Sequence, residues 1–147
     1  MLPVKTEEKI KLFLVDDDAL FLRSLEIDFL KHADFAIETF ATGELCMENL
    51  SHNPDVIILD YQLDSIEKSA MNGLATLDKI KSYNQDIPVV MLSSQDKIEV
   101  AINCMHHRAF DYVVKSETAF IRLQKIITTI FQYKKMEKEL TWYMDRM

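Results

Sequence analysis

The sequence predicts an α/β fold: a doubly wound, five-stranded parallel sheet with an extended C-terminal helix. Three observations predict it. Short apolar runs alternate with longer amphipathic stretches five times along the 147 residues, as parallel strands joined by helices require. The first, third and fourth runs are almost continuous Val, Ile and Leu, as strands covered on both faces must be. The first, third, fourth and fifth runs stop abruptly at polar residues, at the strand ends where sheets of this kind collect ligands.

Residues 10–15 form the first strand. Residues 19–31 carry Leu20, Leu22, Leu25, Ile27, Phe29 and Leu30, closer to a helical stripe than to alternation. Asp18, just before them, suits the cap of that helix. Residues 35–40 are the second strand, and Thr42 can cap a short helix reaching about Leu50. Asn53-Pro54 marks a turn before the third strand at 56–59. A polar loop follows, then a helix over 73–83. The fourth strand spans 88–92, with a helix over 95–107. The fifth strand is 112–114, and one long helix runs from residue 117 onward.

Bulk properties narrow the function. Hydrophobic residues make up 48% of the chain, enough for a full core. A net charge of −7 argues against a nucleic-acid partner for this domain. Cys46 and Cys104 stand far apart in no CxxC spacing, which fits a reducing cytoplasm and neither a disulfide framework nor a zinc site. The start, MLPVKTEEKI, lacks the apolar segment of a signal peptide. No apolar run approaches the ~20 residues that span a bilayer. The expectation is a soluble cytoplasmic protein with no membrane partner.

The strand ends carry the chemistry. The first delivers Asp16, Asp17 and Asp18, the third Asp60, the fourth Ser93 and Ser94, and the fifth Lys115. Adjacent carboxylates repel unless a positive charge sits nearby, and a bound dication supplies one. Hard oxygen ligands of net negative charge suit Mg²⁺, and Asp16, Asp17 and Asp60 would offer them. An aspartate can also attack a phosphoryl group and form an aspartyl phosphate. Such transfer depends on positioning and charge neutralisation. Lys115 and Mg²⁺ would neutralise the transferred oxygens, and Ser93 could donate a hydrogen bond to one of them.

VDDD at 15–18, VIILD at 56–60, VVMLSS at 89–94 and DYVVKS at 111–116 together resemble the receiver domain of two-component response regulators, with a fold similar to the chemotaxis regulator. The resemblance covers roughly residues 10–130. It implies the flavodoxin-like strand order 2-1-3-4-5. It implies a Mg²⁺ site of Asp16, Asp17, Asp60 and the backbone carbonyl of Gln62. It makes Asp60 the phosphoacceptor, Ser93 the switch hydroxyl, Lys115 the phosphate-binding lysine and Tyr112 the rotating aromatic. The implied donor is a sensor histidine kinase or a phosphotransfer protein. The implied activity is limited to the domain's own aspartyl phosphorylation and dephosphorylation, with no outside substrate. Gln62, two residues past Asp60, is placed to tune how fast water removes the phosphoryl group.

The chain departs from the family at three places. After Asp60 it reads DYQLDSIEKSAMNG, with no proline and with Gly73 thirteen residues on, an insertion of about five residues against the family pattern. Such a loop can be a small lid, a kinase-recognition element, or a neutral surface insertion. Lys115 is followed by Ser116 where the family has a proline after a cis bond. A cis bond before serine costs ~2.5–4 kcal/mol, so the expectation is a trans bond, or a cis bond held by its surroundings. A trans bond could move the Lys115 amine. In the tail, Ile126, Thr129, Tyr133, Met136, Leu140, Tyr143 and Met147 follow heptad spacing. The expectation is a receiver domain over 1–132 and a helical extension over 133–147. That extension pairs with a second copy or leads into an output domain. A homodimer through the face of the fourth helix, fifth strand and fifth helix is the alternative pairing.

Other candidates have plainer readings. Asp64 is a second acid near Asp60 or simply a solvated loop residue. His106 and His107 fit a helix C-terminus better than a metal site. The eight methionines are core filler. Two other function classes compete: a constitutive scaffold that keeps the fold without phosphorylation, and a phosphatase with an aspartyl nucleophile. The phosphatase typically has a second aspartate two residues after the nucleophile, where this chain has Gln62.

Overall fold

The computed structural model describes residues 9–32 and 34–147. The first eight residues, which the sequence reading assigns to the 1–132 domain, lie outside the described residues. The elements alternate as β1 (Ile10–Val15), α1 (Ala19–His32), β2 (Phe35–Phe40), α2 (Gly43–Glu48), β3 (Val56–Asp60), α3 (Gly73–Tyr83), β4 (Val89–Ser93), α4 (Ile98–His106), β5 (Asp111–Val114) and α5 (Ala119–Met144). A single 3-10 turn, Leu50–His52, follows α2. The five strands form one parallel sheet in the order β2-β1-β3-β4-β5, as expected. The order reverses between β1 and β3, which opens a crevice beyond their carboxyl ends.

Strand alternation sorts the core into two layers. Phe13 and Val15 face one side of β1, and Leu12 and Leu14 face the other. The first layer joins Ile57, Leu59, Val89 and Met91 to Leu50, Leu77, Ile80 and Cys104 from the α2, α3 and α4 side. The second joins Ile58, Val90 and Leu92 to Leu25 and Phe29 of α1 and to Ala119, Leu123, Ile127 and Ile130 of α5. Edge-on aromatic pairs lock both layers, Phe13 with Phe40 at 4.8 Å and Phe29 with Phe35 at 5.3 Å between centroids. Burying each such side chain contributes roughly 1.5–3 kcal/mol.

Helix starts follow their caps. Asp18 Oδ1 accepts the N–H groups of Leu20 and Phe21 at 3.1 and 3.2 Å, so the third aspartate of the run caps α1 as expected. Thr42 caps α2 through the N–H of Leu45 at 3.1 Å, and Asn72 caps α3 through that of Ala75 at 2.8 Å.

Several boundaries differ from the sequence reading. α4 begins at Ile98, three residues later than expected, because the Gln95 N–H donates to Ser93 Oγ at 3.0 Å and the Gln95 carbonyl accepts the Tyr112 hydroxyl. Both bonds hold residues 95–97 as a loop. β3 and β4 extend one residue further, so Asp60 and Ser93 are the last residues of their strands. No peptide bond is cis among the described residues, so Lys115–Ser116 is trans. No helix among the described residues is long and apolar enough to cross a membrane.

Candidate functional site

Strand register assembles the site. Val15 pairs with Leu59 and Asp60 with Leu92, so the residues after β1 meet the end of β3. Ser93 pairs with Val114, and the Lys115 N–H donates to the Ser93 carbonyl at 2.7 Å. The Asp16 N–H donates to the Phe40 carbonyl at 3.0 Å, fixing the turn after β1. Asp16, Asp17, Asp60, Ser93 and Lys115 therefore share one edge of the sheet.

Asp16, Asp17 and Asp60 each bring a carboxylate oxygen into a cluster whose members lie within 4.8 Å of one another. Asp16 and Asp60 are buried, and Asp17 is half-buried. The donor set fits a hard divalent cation. Asp16 Oδ2 is sealed from solvent, so its charge has to be met from within the cluster. The Lys115 ammonium lies 2.8 Å from that atom and 3.5 Å from Asp60 Oδ1. The Phe21 ring sits 4.7 Å from the ammonium and closes its outer side. The trans bond after Lys115 thus leaves its amine in the cluster.

Burial, and then the Asp16 charge, push the Asp60 carboxyl up to about 7. Lys115 and the Gln62 N–H, which donates to Asp60 Oδ1 at 3.2 Å, work the other way. Burial disfavours the Lys115 charge, but Asp16 and Asp60 outweigh it and hold the ammonium above its ordinary value. The site is a network in which each charge depends on its neighbours.

Ser93 is fully buried, and its Oγ accepts the Gln95 N–H, which leaves its own proton free to donate. Tyr112 is half-buried against the core layer that faces α4, and its hydroxyl donates to the Gln95 carbonyl. Burial raises the Tyr112 phenol, with the neighbouring Ser93 hydroxyl acting against it. The ring is therefore turned inward, toward the loop that follows Ser93.

Gly73 closes the segment that follows Asp60. Its N–H donates to the Tyr61 carbonyl at 3.1 Å. A Cβ there would lie 2.2 Å from the Asp60 carbonyl oxygen and 2.7 Å from two Tyr61 backbone atoms, so only glycine fits this close approach.

Sequence reasoning missed one participant. The Ser65 hydroxyl donates to Asp17 Oδ2 at 2.5 Å, and the Ile66 N–H donates to the same oxygen at 3.2 Å. Asp64, the loop residue considered from the sequence, makes no such bond among the described residues. The loop's extra length was the one available signal. His106 and His107 stand at the C-terminus of α4, as expected, and His107 Nδ1 lies 2.7 Å from Asp78 Oδ1 of α3.

This fold and this acidic edge define a receiver module. Residues 12–128 match the family model of the response regulator receiver domain, and the chain belongs to that family. It is 38% identical over 118 residues to a protein-glutamate methylesterase/protein-glutamine glutaminase of Clostridium acetobutylicum, a match covering 77% of this chain and 32% of that protein. It is 30% identical over 129 residues to the transcriptional regulatory protein QseB of Haemophilus influenzae, covering 84% and 55%. The chain thus spans from a third to about half the length of these relatives. Among solved structures, a chain of the CheX–CheY–BeF3–Mg²⁺ complex from Borrelia burgdorferi superposes with a TM-score of 0.72 at 23% identity, covering 83% of this chain and 89% of that one. That likeness bears on the fold alone.

Proposed function

We propose that this chain is a phosphorylation-switched receiver in which Asp60 accepts a phosphoryl group from a histidine kinase or phosphotransfer protein in the cytoplasm. The observation that carries this reading is the Lys115 ammonium between the buried carboxylates of Asp16 and Asp60. A half-buried lysine shared by two buried carboxylates suits phosphoryl transfer, which needs charge placement more than covalent help.

Asp16, Asp17, Asp60 and the Gln62 carbonyl would hold Mg²⁺. When bound, Mg²⁺ supplies positive charge to the transferring phosphoryl oxygens. The Asp60 carboxylate attacks phosphorus, and the bond from phosphorus to the donor's histidine nitrogen breaks as the new P–O bond forms. Lys115 turns its ammonium from Asp60 Oδ1 to a phosphoryl oxygen, and Asp16 holds it in reach. Ser93 donates its free hydroxyl proton to another. Tyr112 stays inward when Ser93 and its loop are drawn to the phosphoryl group, which shifts an existing equilibrium. Gln62, half-buried beside Asp60, governs the approach of water in the reverse reaction. The chain turns over no outside substrate. Transfer of one phosphoryl group from a small phosphodonor, read by intact mass, tests this reading.

The second part of the proposal concerns a homodimer. The domain-facing stripe of α5 is Ala119, Leu123, Ile127 and Ile130. Beyond it, Tyr133, Met136, Leu140 and Tyr143 are 54–60% exposed at heptad spacing. We read residues 133–147 as an extension that pairs with a second copy of the chain through this row.

A further inference from the structure

We propose that Ser65 is a positioning residue for the cation site, and that the 61–72 segment is a strap whose closure is coupled to divalent-cation binding. The proposal rests on the assignment of Asp16, Asp17, Asp60 and the Gln62 carbonyl as the Mg²⁺ site.

The Ser65 hydroxyl touches two of those four groups. It donates to Asp17 Oδ2 at 2.5 Å and lies 3.4 Å from the Gln62 carbonyl oxygen. The Ile66 N–H adds a second donor to Asp17 Oδ2 at 3.2 Å. Both donors load one oxygen, and among the described residues no hydrogen bond reaches Oδ1. A carboxylate held by one oxygen presents the other in a fixed direction. Asp17 needs this help more than its partners, because it is the least buried of the three carboxylates.

The segment is built to close over the site. Its two ends meet through the Gly73 N–H and Tyr61 carbonyl. Leu63, 1% exposed, seats its base in the core layer that faces α3. Its far side is tied to α2, where the Met71 N–H donates to Glu44 Oε2 at 3.0 Å. Between these points it carries little apolar burial: Ile66 is 74% exposed. The closed position of its crown therefore depends on the bonds to Asp17. A segment held by few polar contacts opens at low cost. If closure aligns Asp17 for the cation, the cation must favour closure by the same factor, because the coupling is reciprocal.

The test is calorimetric titration of MgCl₂ into the full chain, its Ser65→Ala variant and its Ser65→Thr variant. Amide hydrogen exchange across 61–72 is measured with and without Mg²⁺. Removing a group that orients a metal ligand weakens metal binding about 10- to 100-fold. For this half-exposed carboxylate we expect ~10-fold in Ser65→Ala, and affinity near wild type in Ser65→Thr. Exchange across 61–72 should slow with Mg²⁺ in wild type and respond less in Ser65→Ala. Equal Mg²⁺ affinity in wild type and Ser65→Ala would remove the positioning role while leaving the metal site standing. Exchange across 61–72 that ignores Mg²⁺ in wild type would remove the coupling. Absence of Mg²⁺ binding to wild type would overturn the metal assignment itself, and this proposal with it.

Discussion

The Lys115 ammonium lies closer to Asp16 Oδ2, at 2.8 Å, than to Asp60 Oδ1, at 3.5 Å. Asp16 thus holds the lysine beside Asp60, the proposed phosphoacceptor. Lys115→Ala would leave two buried carboxylates facing each other. We expect a loss of ~1–3 kcal/mol at pH 8 without Mg²⁺, the cost of leaving buried charged groups unpaired. Saturating Mg²⁺ should restore most of it. Thermal denaturation of both proteins, with and without Mg²⁺, checks this.

The Asp60 carboxyl, pushed up to about 7 by burial and by Asp16, sets a pH dependence. Its folded-state value lies above its unfolded value of ~4. Between about pH 4 and pH 7 the folded state therefore binds more protons. Without Mg²⁺, stability should rise as the pH falls from 8 through 7 toward 5, as far as Asp60 governs it. Asp60→Asn should be more stable than wild type at pH 8, by a few degrees in Tm, and the gap should close toward pH 5. Melting curves at pH 8 and pH 5.5 decide the matter. A gap that widens on acidification would contradict the assignment.

Metal uptake should follow the same carboxyl. Ligands must be deprotonated to bind, so Mg²⁺ affinity should climb steeply between pH 6 and pH 8, with proton release on binding. Titrations in buffers of different ionisation enthalpy measure both.

Gly73→Ala should destabilise the chain by ~2 kcal/mol or more, because the new methyl meets backbone atoms that cannot rotate away. The displaced atoms are the carbonyl of Asp60 and its neighbour, so phosphorylation should suffer beyond the loss of stability. Denaturant unfolding gives the first effect, and the phosphorylation rate of the folded fraction gives the second.

The exposed row on α5 predicts self-association. Sedimentation should show a dimer that dissociates on dilution. Met136→Glu with Leu140→Glu should leave a monomer with an unchanged melting profile for the sheet domain. A wild type that stays monomeric at high concentration would end the pairing.

The strands were legible because β1, β3, β4 and β5 are short apolar runs ended by a polar residue, and five strands alternating with helices admit few arrangements. Asp18 and Thr42 were legible as caps because their chemistry is local. Contacts made across the fold were harder. The start of α4 depends on Tyr112, whose hydroxyl reaches the Gln95 carbonyl from another strand. Lys81 of α3 is only 8% exposed, with its ammonium on the carbonyls of Gln85 and Ile87 at 3.2 and 2.6 Å. The α5 stripe that packs on the sheet is Leu123, Ile127 and Ile130, out of phase with the heptad row through Ile126 and Thr129. Ser65 was invisible for the same reason: its partner is 48 residues away, and nothing local marks it.

The central claim is that Asp60 takes up a phosphoryl group. The direct measurement is intact mass after incubation with Mg²⁺ and acetyl phosphate, on wild type and on Asp60→Asn. The account predicts a gain of one phosphoryl group in wild type and none in the variant, with the gain lost on chelating Mg²⁺. An unchanged wild-type mass, with no Mg²⁺ binding, would contradict it and leave a constitutive scaffold in its place.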